Sequence, residues 1–492
     1  VWVETIRSFG KNTTLDTALV LLTFGLYIYY INYTQDVMHI KDRSLVSPTK
    51  TGDTVSSLLF AIVVATLVHT YVMQPFTIPT SSLEKTLLVG DFLFVSKFHF
   101  GARTPMTTVA APMVHDTIPL INVKSYLNKP QLPYFRIPGL QKIEKNDIVV
   151  FNWPVDTVYK FFDRSGRSTT KPVDKKSNYV KRCVGTPGDV FSIKDGLVFI
   201  DGKELILSDR AKPQYIYKVY AKNGVSGELL KETGSTEFIR TYIIKPSSQE
   251  QITAVSPYVL ASTENNDRSY TIKTNYTGIP NKVISETGLY AQEVYEAETD
   301  VNLTFEGADK LRKSTTIDSV IKVIEAVDNR IFPHDGKWSG DNFGPITIPA
   351  EGATVQLTSE NLPLYERIIG VYENNDLKVN GDEIRINGAI AKSYTFKQDY
   401  YWMMGDNRHR SEDSRYWGFV PADHIVGKPV FIWMSLDQTI GWNKAIDKIR
   451  WERMFTTVGG DGEPYSYFKF FLIALAAYFG ITYFMKKKRA KI

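Results

Sequence analysis

The run SSLLFAIVVATLVHTYVMQPF, residues 56–76, leads directly into Ile78-Pro79-Thr80-Ser81-Ser82-Leu83-Glu84-Lys85-Thr86-Leu87. The first segment carries no Asp, Glu, Lys or Arg, only His69, and has the length of roughly 20 residues that crosses a bilayer's hydrocarbon core. The second is a short polar turn with two adjacent serines behind a proline. Beyond Leu87 the pattern changes to brief β-branched and aromatic runs between turn signals. The reading is a membrane-tethered, mainly β protein whose first loop outside the bilayer presents a serine.

Two more apolar runs extend this picture. Residues 468–485 (FKFFLIALAAYFGITYFM) read as a C-terminal span, with Lys469 placed to snorkel near one end. Residues 17–33 (TALVLLTFGLYIYYINY) are shorter and more aromatic, and are read as a first span, giving three. The alternative for each is a helix buried in a protein core. No small-x-small site follows residues 17–33, so a cleavable signal peptide is not expected. Val1 is not a methionine, and the native N-terminus is expected to lie upstream. Lys486, Lys487, Lys488, Arg489 and Lys491 assign the C-terminus to the cytoplasm, and Lys41, Arg43 and Lys50 assign the loop 34–55 there too. Residues 77 to about 465 then lie outside, with the N-terminus, against a weak bias from Arg7 and Lys11.

A chain of 492 residues has room for two or three domains of roughly 150 residues. The net charge of +5 is mostly gathered in the C-terminal tail. No basic stripe with interleaved aromatics marks the centre, so no nucleic-acid partner is expected. The single cysteine, Cys183, excludes an intrachain disulfide, and a domain of this size can fold without one. With no His-Glu-x-x-His, no cysteine pair and no Gly-rich phosphate loop, neither a metal nor a cofactor is expected.

Strands are predicted at 91–95, 147–151, 190–193 and 197–200, with hairpin turns at Asp195-Gly196, Asp201-Gly202 and Asn387-Gly388. The divisions that follow are 1–33 (N-terminal segment and first span), 34–55 (cytoplasmic loop) and 56–76 (second span). A β domain over 77–202 is then interrupted by an inserted β-rich subdomain over 203–394, and resumes over 395–440. A juxtamembrane helix falls within 441–466, and the last span with its basic tail over 467–492. In 441–455 the residues Trp442, Ile446, Ile449 and Phe455 share one helical face, which suits either an interfacial helix or one packed on the outer domain. A weak echo links Tyr179-Val180-Lys181-Arg182 and its hairpin to Tyr365-Glu366-Arg367-Ile368 and the turn at Asn387-Gly388. A duplication and chance similarity of strands explain it equally well, and the second copy has no matching lysine.

Two distant stretches bear on the serine: Tyr179-Val180-Lys181-Arg182-Cys183-Val184-Gly185-Thr186-Pro187-Gly188-Asp189 and Gly405-Asp406-Asn407-Arg408-His409-Arg410-Ser411-Glu412-Asp413-Ser414-Arg415. A serine hydroxyl is a poor nucleophile until a base takes its proton. Lysine is a base only when neutral, so its ordinary pKa of about 10.4 must fall by several units. Burial among apolar side chains lowers it by penalising the ammonium. Lys181 sits in a strand-like apolar run that suits this, with Arg182 turned to the opposite face.

In this order, behind a membrane anchor, the three stretches resemble the type I (leader) signal peptidases, bacterial membrane-bound Ser/Lys endopeptidases that remove secretory signal peptides. The second and third stretches are close to the family pattern. The first departs from it, with Thr80-Ser81-Ser82-Leu83-Glu84-Lys85-Thr86 where the family has Ser-Gly-Ser-Met-x-Pro-Thr. The resemblance implies Ser82 as nucleophile, Lys181 as general base and Ser411 as the hydroxyl that orients the lysine. It implies an oxyanion site from the Ser82 N–H and the Thr80 hydroxyl, and bracing by Arg182, Asp406, Asp413 and Arg415. It also implies a shallow pocket from Ile78, Leu83 and Val180 for small side chains at −1 and −3 of the substrate. Leu83 for methionine keeps volume and apolarity, while loss of the proline affects local loop geometry. The implied substrates are secretory preproteins, met on the outer face of a bacterial inner membrane, where sharing a bilayer raises their effective concentration. Leu87, Leu88, Phe92, Phe94 and Phe98 then either face lipid or fill the β core.

Other readings compete. Ser81 is an alternative nucleophile. Ser82-Leu83-Glu84-Lys85 is a Ser-x-x-Lys of the penicillin-binding type, although Lys50-Thr51-Gly52 precedes rather than follows it and no Ser-Asp-Asn appears. Cys183 offers a thiol without a Cys/His signature. His99, His334, His409 and His424 are available, yet a lysine base does not need them. Soluble Ser/Lys autoproteases of the SOS-repressor type lack membrane spans. The non-enzymatic alternative is a membrane-tethered β module that binds partners.

Overall fold

The computed structural model describes residues 2–42, 50–160, 163 and 165–489. Arg43 and Lys491, two of the basic residues used to orient the chain, lie outside the described residues. The chain forms two compact units that divide at Leu67/Val68.

The first unit holds α1 (Trp2–Arg7), α2 (Thr14–Leu22), α3 (Leu26–Thr34) and most of α4 (Lys50–Tyr71). Thr13 and Asp16 form a capping box that starts α2. Phe24 and Gly25 then adopt φ of 50° and 87° and break the helix, and a Cβ at position 25 would stand 2.9 Å from the Trp2 indole. Residues 17–33 therefore do not form the single span expected. They fall in two nine-residue helices, each about 13 Å long, less than half a bilayer core. Ile6, Val20 and Ile31 pack together between them. Among the described residues two helices are long and apolar enough to cross a membrane, Lys50–Tyr71 and Phe468–Lys487, so the count is two rather than three.

The second unit is mainly β. Its principal sheet contains β1 (Met73–Thr77), β2 (Asp91–Ser96), β3 (Ile148–Asn152), β4 (Asn178–Gly185), β5 (Tyr400–Met404), β6 (Val420–Pro421), β7 (Ile425–Ser435) and β8 (Thr456–Thr457). The strand order is β1-β2-β7-β3-β4-β5-β6, with β8 added to β7. Alternation along β2 decides which of the expected apolar residues go where. Leu93 and Val95 join Leu87 in the interior, whereas Phe92 and Phe94 lie half-buried on the other face against Trp433.

A second sheet runs Val190–Lys194, Leu197–Ile200 and Lys203–Glu204, with Phe343–Thr347 on its far edge. Its turns at Asp195-Gly196 and Asp201-Gly202 have positive φ at both positions, as the sequence predicts. One core joins Val184, Phe191 and Ile193 to Ile331, Ile348, Ile369 and Trp402. Residues 331–396 thus share the main body's core, and the expected boundary of 203–394 cuts through it. The part with cores of its own is 214–322. It contains a three-stranded sheet (Gln214–Tyr220, Glu298–Thr304, Ser319–Lys322) and a four-stranded one (Arg240–Lys245, Val259–Glu264, Tyr270–Thr274, Tyr290–Val294).

Two further expectations change. Residues 365–367 end the helix Leu362–Arg367 and 368–372 continue it as π-helix, so the echo of β4 is not a repeated strand. The stretch 441–455 forms no continuous helix: a 3₁₀ turn at Trp442–Lys444 leads into only Ala445–Lys448. Lys448 is drawn inward, donating to the carbonyls of Asp437 and Ile440 at 2.8 and 2.5 Å. Ile449 then bridges back to Leu436 at the end of the sheet.

Candidate active site

Ser82 stands where β1 runs out. The Ile78 N–H donates to the Asp91 carbonyl and the Gly90 N–H returns to the Ile78 carbonyl, both at 2.9 Å, tying the turn to β2. The next residues close a 3₁₀ turn, Ser81–Leu83, anchored by buried Leu83 and Leu87. Lys181 lies in β4, opposite Val149 in β3. The fold brings its Nζ to 2.6 Å from Ser82 Oγ, across 99 residues of sequence. Lys181 is 3% exposed. Burial pushes its pKa down to about 8, against the carboxylates of Asp413 and Glu412, which favour the ammonium.

The third stretch wraps the same point. A Cβ on Gly405 would sit 2.2 Å from Ser411 Oγ and 2.5 Å from the Ser82 carbonyl, so only glycine permits this approach. Ser411 Oγ is buried and makes no hydrogen bond; the bond to Lys181 implied by the resemblance is not formed. Arg182 grips Asp406 through Nε and Nη2, both at 2.7 Å, and Thr86 Oγ1 donates to the same carboxylate at 2.6 Å. Burial alone would raise the Asp406 carboxyl, but Arg182 and Thr86 hold it below the usual range. Asp413 and Arg415 form a second buried bidentate pair, at 2.8 and 2.9 Å, and the Gly405 N–H donates to Asp413 at 3.0 Å. Thr80, at the N-cap of the serine turn, is exposed and makes no capping bond. Ile78 and Leu83 are buried with Leu93 and Ile148, and half-buried Val180 packs against them. Most of their surface is already covered.

The insertion supplies partners that no motif foreshadows. The Asn407 N–H donates to the Ser82 carbonyl at 3.1 Å, and Asn407 Nδ2 reaches the Ser81 carbonyl and Glu237 Oε2, each at 2.9 Å. Asn302 Nδ2 donates to Asn407 Oδ1 at 2.9 Å and to Glu237 at 2.6 Å. Gln214 completes the clamp, donating from Nε2 to the Glu84 carbonyl at 3.0 Å and from its N–H to the Asp406 carbonyl at 2.8 Å. Only Asn407 sits inside a recognisable stretch; Gln214, Glu237 and Asn302 are ordinary polar residues in sequence. Removing the clamp with Asn302→Leu is expected to lower kcat by about 10–100-fold with KM nearly unchanged, since misplacing a reacting group by about 1 Å costs that much. Steady-state kinetics on a preprotein check it, and an unchanged kcat would count against the clamp.

The competing groups are otherwise engaged. Lys85 takes φ of 71° and its Nζ donates to Thr236 Oγ1 at 3.1 Å. Cys183 is fully buried, its Sγ 3.4 Å from the Gly185 carbonyl, and burial pushes the thiol pKa up, away from thiolate chemistry. His409 braces the insertion: its Nδ1 accepts from the Ile216 N–H at 3.0 Å and its Nε2 lies 2.9 Å from Asp341. Glu325 lies close enough to make a three-group cluster with them, but both imidazole nitrogens are already occupied.

Comparison with known proteins agrees with this architecture. The family model described as "Signal peptidase, peptidase S26" matches residues 51–266 and 351–434, passing over much of the insertion. Residues 1–42 match a family of unknown function. The chain is similar to signal peptidase I of Haemophilus influenzae, 23% identical over 433 residues, covering 85% of this chain and 79% of that protein. It is 22% identical to signal peptidase I of Buchnera aphidicola over 383 residues, 78% and 75% of the two chains. Signal peptidase I of Rickettsia typhi is 28% identical over 161 residues, 32% of this chain and 47% of that protein. Because the family model spans more than half of the residues, and relatives align along most of the rest, the chain belongs to the signal peptidase family, peptidase S26.

Proposed function

We propose that this membrane-bound serine endopeptidase removes signal peptides through a dyad of Ser82 and Lys181. The observation that carries the reading is the 2.6 Å contact between Ser82 Oγ and the Nζ of a lysine whose pKa burial lowers to about 8. At pH 7 roughly one-tenth of such lysine is neutral. Neutral Lys181 takes the Ser82 proton as Oγ attacks the scissile carbonyl. The oxyanion is received by the Ser82 N–H, which belongs to the first turn and has no intrahelical acceptor, and by the free hydroxyl of Thr80. The ammonium of Lys181 then returns its proton to the leaving amine, and a water repeats the cycle to release the acyl group. Ser411 Oγ, buried without another partner, is the acceptor available to hold the ammonium while it is charged. Ile78, Leu83 and Val180 close the floor under the substrate's −1 and −3 side chains, so only small ones fit.

Two spans flank the β unit in sequence, so the segments before Lys50 and after Lys487 share one side of the membrane. Lys486 and Lys487 support a cytoplasmic location for that side. The site then faces outward, where secretory preproteins emerge.

The pH dependence tests the base. As Lys181 loses its proton, kcat/KM is expected to rise tenfold per pH unit and to level off above about pH 8. A profile flat from pH 6 to 9 would exclude lysine as the titrating base.

A further inference from the structure

We infer that the ribbon of residues 101–141 is a further membrane contact, its tip entering the headgroup region of an anionic leaflet. The ribbon is long and locally ordered: Arg103 pairs with Arg136, Thr107 with Gln131, Ala110 with Tyr126 and Thr117 with Lys124. Its tip is a tight turn in which the Ile118 N–H donates to the Val123 carbonyl at 2.8 Å, and Leu120 and Asn122 adopt φ of 73° and 52°.

A ribbon folded for water would turn its apolar residues inward. This one turns most of its large apolar residues out: Leu120 is 99% exposed, Ile121 62%, Leu127 58%, Phe135 58% and Leu140 77%. Ala102, Met106 and Tyr126 are buried, and the remaining inward contacts are polar. Asp174 accepts from the Met106 and Thr107 N–H groups and the Thr107 hydroxyl at 2.6–3.0 Å, and His115 Nε2 lies 2.9 Å from the Lys176 carbonyl. Apolar groups facing out on a polar-anchored support mark an interaction surface.

Charge and position select lipid as the occupant. The tip, residues 117–123, carries no charge, and the flanks carry Lys124, Lys129 and, just past the ribbon, Lys142, while Arg136 turns into the body and donates to the Gly101, Ala422 and Ile425 carbonyls. The ribbon's one carboxylate, Asp116, lies 3.5 Å from buried Lys171. Apolar tip and basic flanks are what an anionic interface binds. The ribbon also leaves the sheet from the end at which β1 follows α4 in sequence. Ser96 pairs with Met73, two residues beyond α4, and with Lys428. The Lys97 N–H donates to the Val72 carbonyl at 2.9 Å, and Arg103 reaches Asn152 Oδ1 at 2.7 Å at the same end.

The test uses the full-length protein in vesicles containing phosphatidylglycerol, with a nitroxide attached to Leu120→Cys. Cys183 is buried and stays unlabelled. Oxygen is expected to reach the label while a water-soluble nickel chelate is excluded, whereas a label at Lys282→Cys on the insertion meets the chelate freely. Equal access of the chelate to both positions would overturn the proposal. In phosphatidylcholine vesicles the protection at 120 should weaken; unchanged protection would remove the role assigned to the basic flanks. This readout needs no catalysis, so it stands or falls apart from the Ser82–Lys181 reading. As a functional check, Leu120→Glu with Ile121→Glu is expected to slow cleavage of a membrane-embedded preprotein about tenfold while leaving a soluble peptide unaffected. Equal loss on both substrates would place the ribbon's role in the fold instead.

Discussion

Ser82→Ala and Lys181→Ala are each expected to lower kcat for cleavage of a detergent-solubilised preprotein by about 10³-fold or more, and Lys85→Ala to leave it close to wild type. The size follows from the interdependence of nucleophile and base: without either, only substrate positioning and oxyanion stabilisation remain. The contrast between the lysines rests on geometry, because Lys181 Nζ touches Ser82 Oγ while Lys85 donates to Thr236. Loss of activity with Lys85→Ala and its retention with Lys181→Ala would revive the Ser-x-x-Lys reading. Complete inactivity of a well-folded wild type would favour a binding module.

The same lysine carries a stability cost. Its folded pKa of about 8 lies below the ordinary value of a lysine in an unfolded chain. The unfolded chain therefore binds the proton more tightly, and stability rises with pH between about 8 and 10.4. Below that window the burial costs about 3 kcal/mol. Lys181→Met removes the charge at nearly constant shape. With about 1 kcal/mol returned for the lost serine hydrogen bond, the inactive variant should be more stable than wild type by about 2 kcal/mol at pH 7. Thermal unfolding in detergent measures it, and a variant less stable than wild type would contradict the unfavourable burial.

The second large effect is expected at Asp413. Asp413→Ala should destabilise the fold by about 3–5 kcal/mol, because it strands the buried Arg415 guanidinium and leaves the Gly405 N–H without its acceptor. Arg415 keeps only the Arg408, Ser411 and Gly340 carbonyls. Burial would raise the Asp413 carboxyl, but Arg415 holds it below the carboxylate range. For a depressed folded pKa the stabilisation is present above the unfolded value of about 3.9 and is lost as pH falls through the folded one. The wild type should therefore lose this contribution in acid, and Asp413→Ala should not. Asp413→Asn separates structure from chemistry. Because the Asp413 carboxylate favours the Lys181 ammonium, its neutralisation should move the rise in kcat/KM to lower pH. A purely structural role for Asp413 would leave that profile in place.

Much of the site was legible because its residues lie in three short stretches, each with local meaning. An apolar run ending at a serine turn, a strand carrying a lysine and a Gly-Asp-Asn loop can be recognised within about ten residues apiece. The two membrane helices and the Asp-Gly hairpins are legible for the same reason, since periodicity and turn chemistry act over short windows. The misreadings came where local pattern meets a remote constraint. Residues 17–33 have an apolar span's composition, but the turn at Phe24-Gly25, set against Trp2, divides them. Residues 441–455 present one helical face, yet the carbonyls that draw in Lys448 and the bridge from Ile449 to Leu436 stop the helix after Lys448.

By itself the sequence determined the two helices long and apolar enough to cross a bilayer, the chain's β character and the residue types brought together at the candidate site. These follow from hydropathy, alternation and motif spacing, all properties of neighbouring residues. Only the tertiary structure decided which lysine meets Ser82, that Ser411 is left without a partner, and that residues 331–396 share the main core. It also decided that Gln214, Glu237 and Asn302 clamp the serine turn. Each is a contact across many tens to hundreds of residues, and such contacts depend on how strands β1, β4 and β5 are ordered in one sheet, which no local pattern of residues encodes.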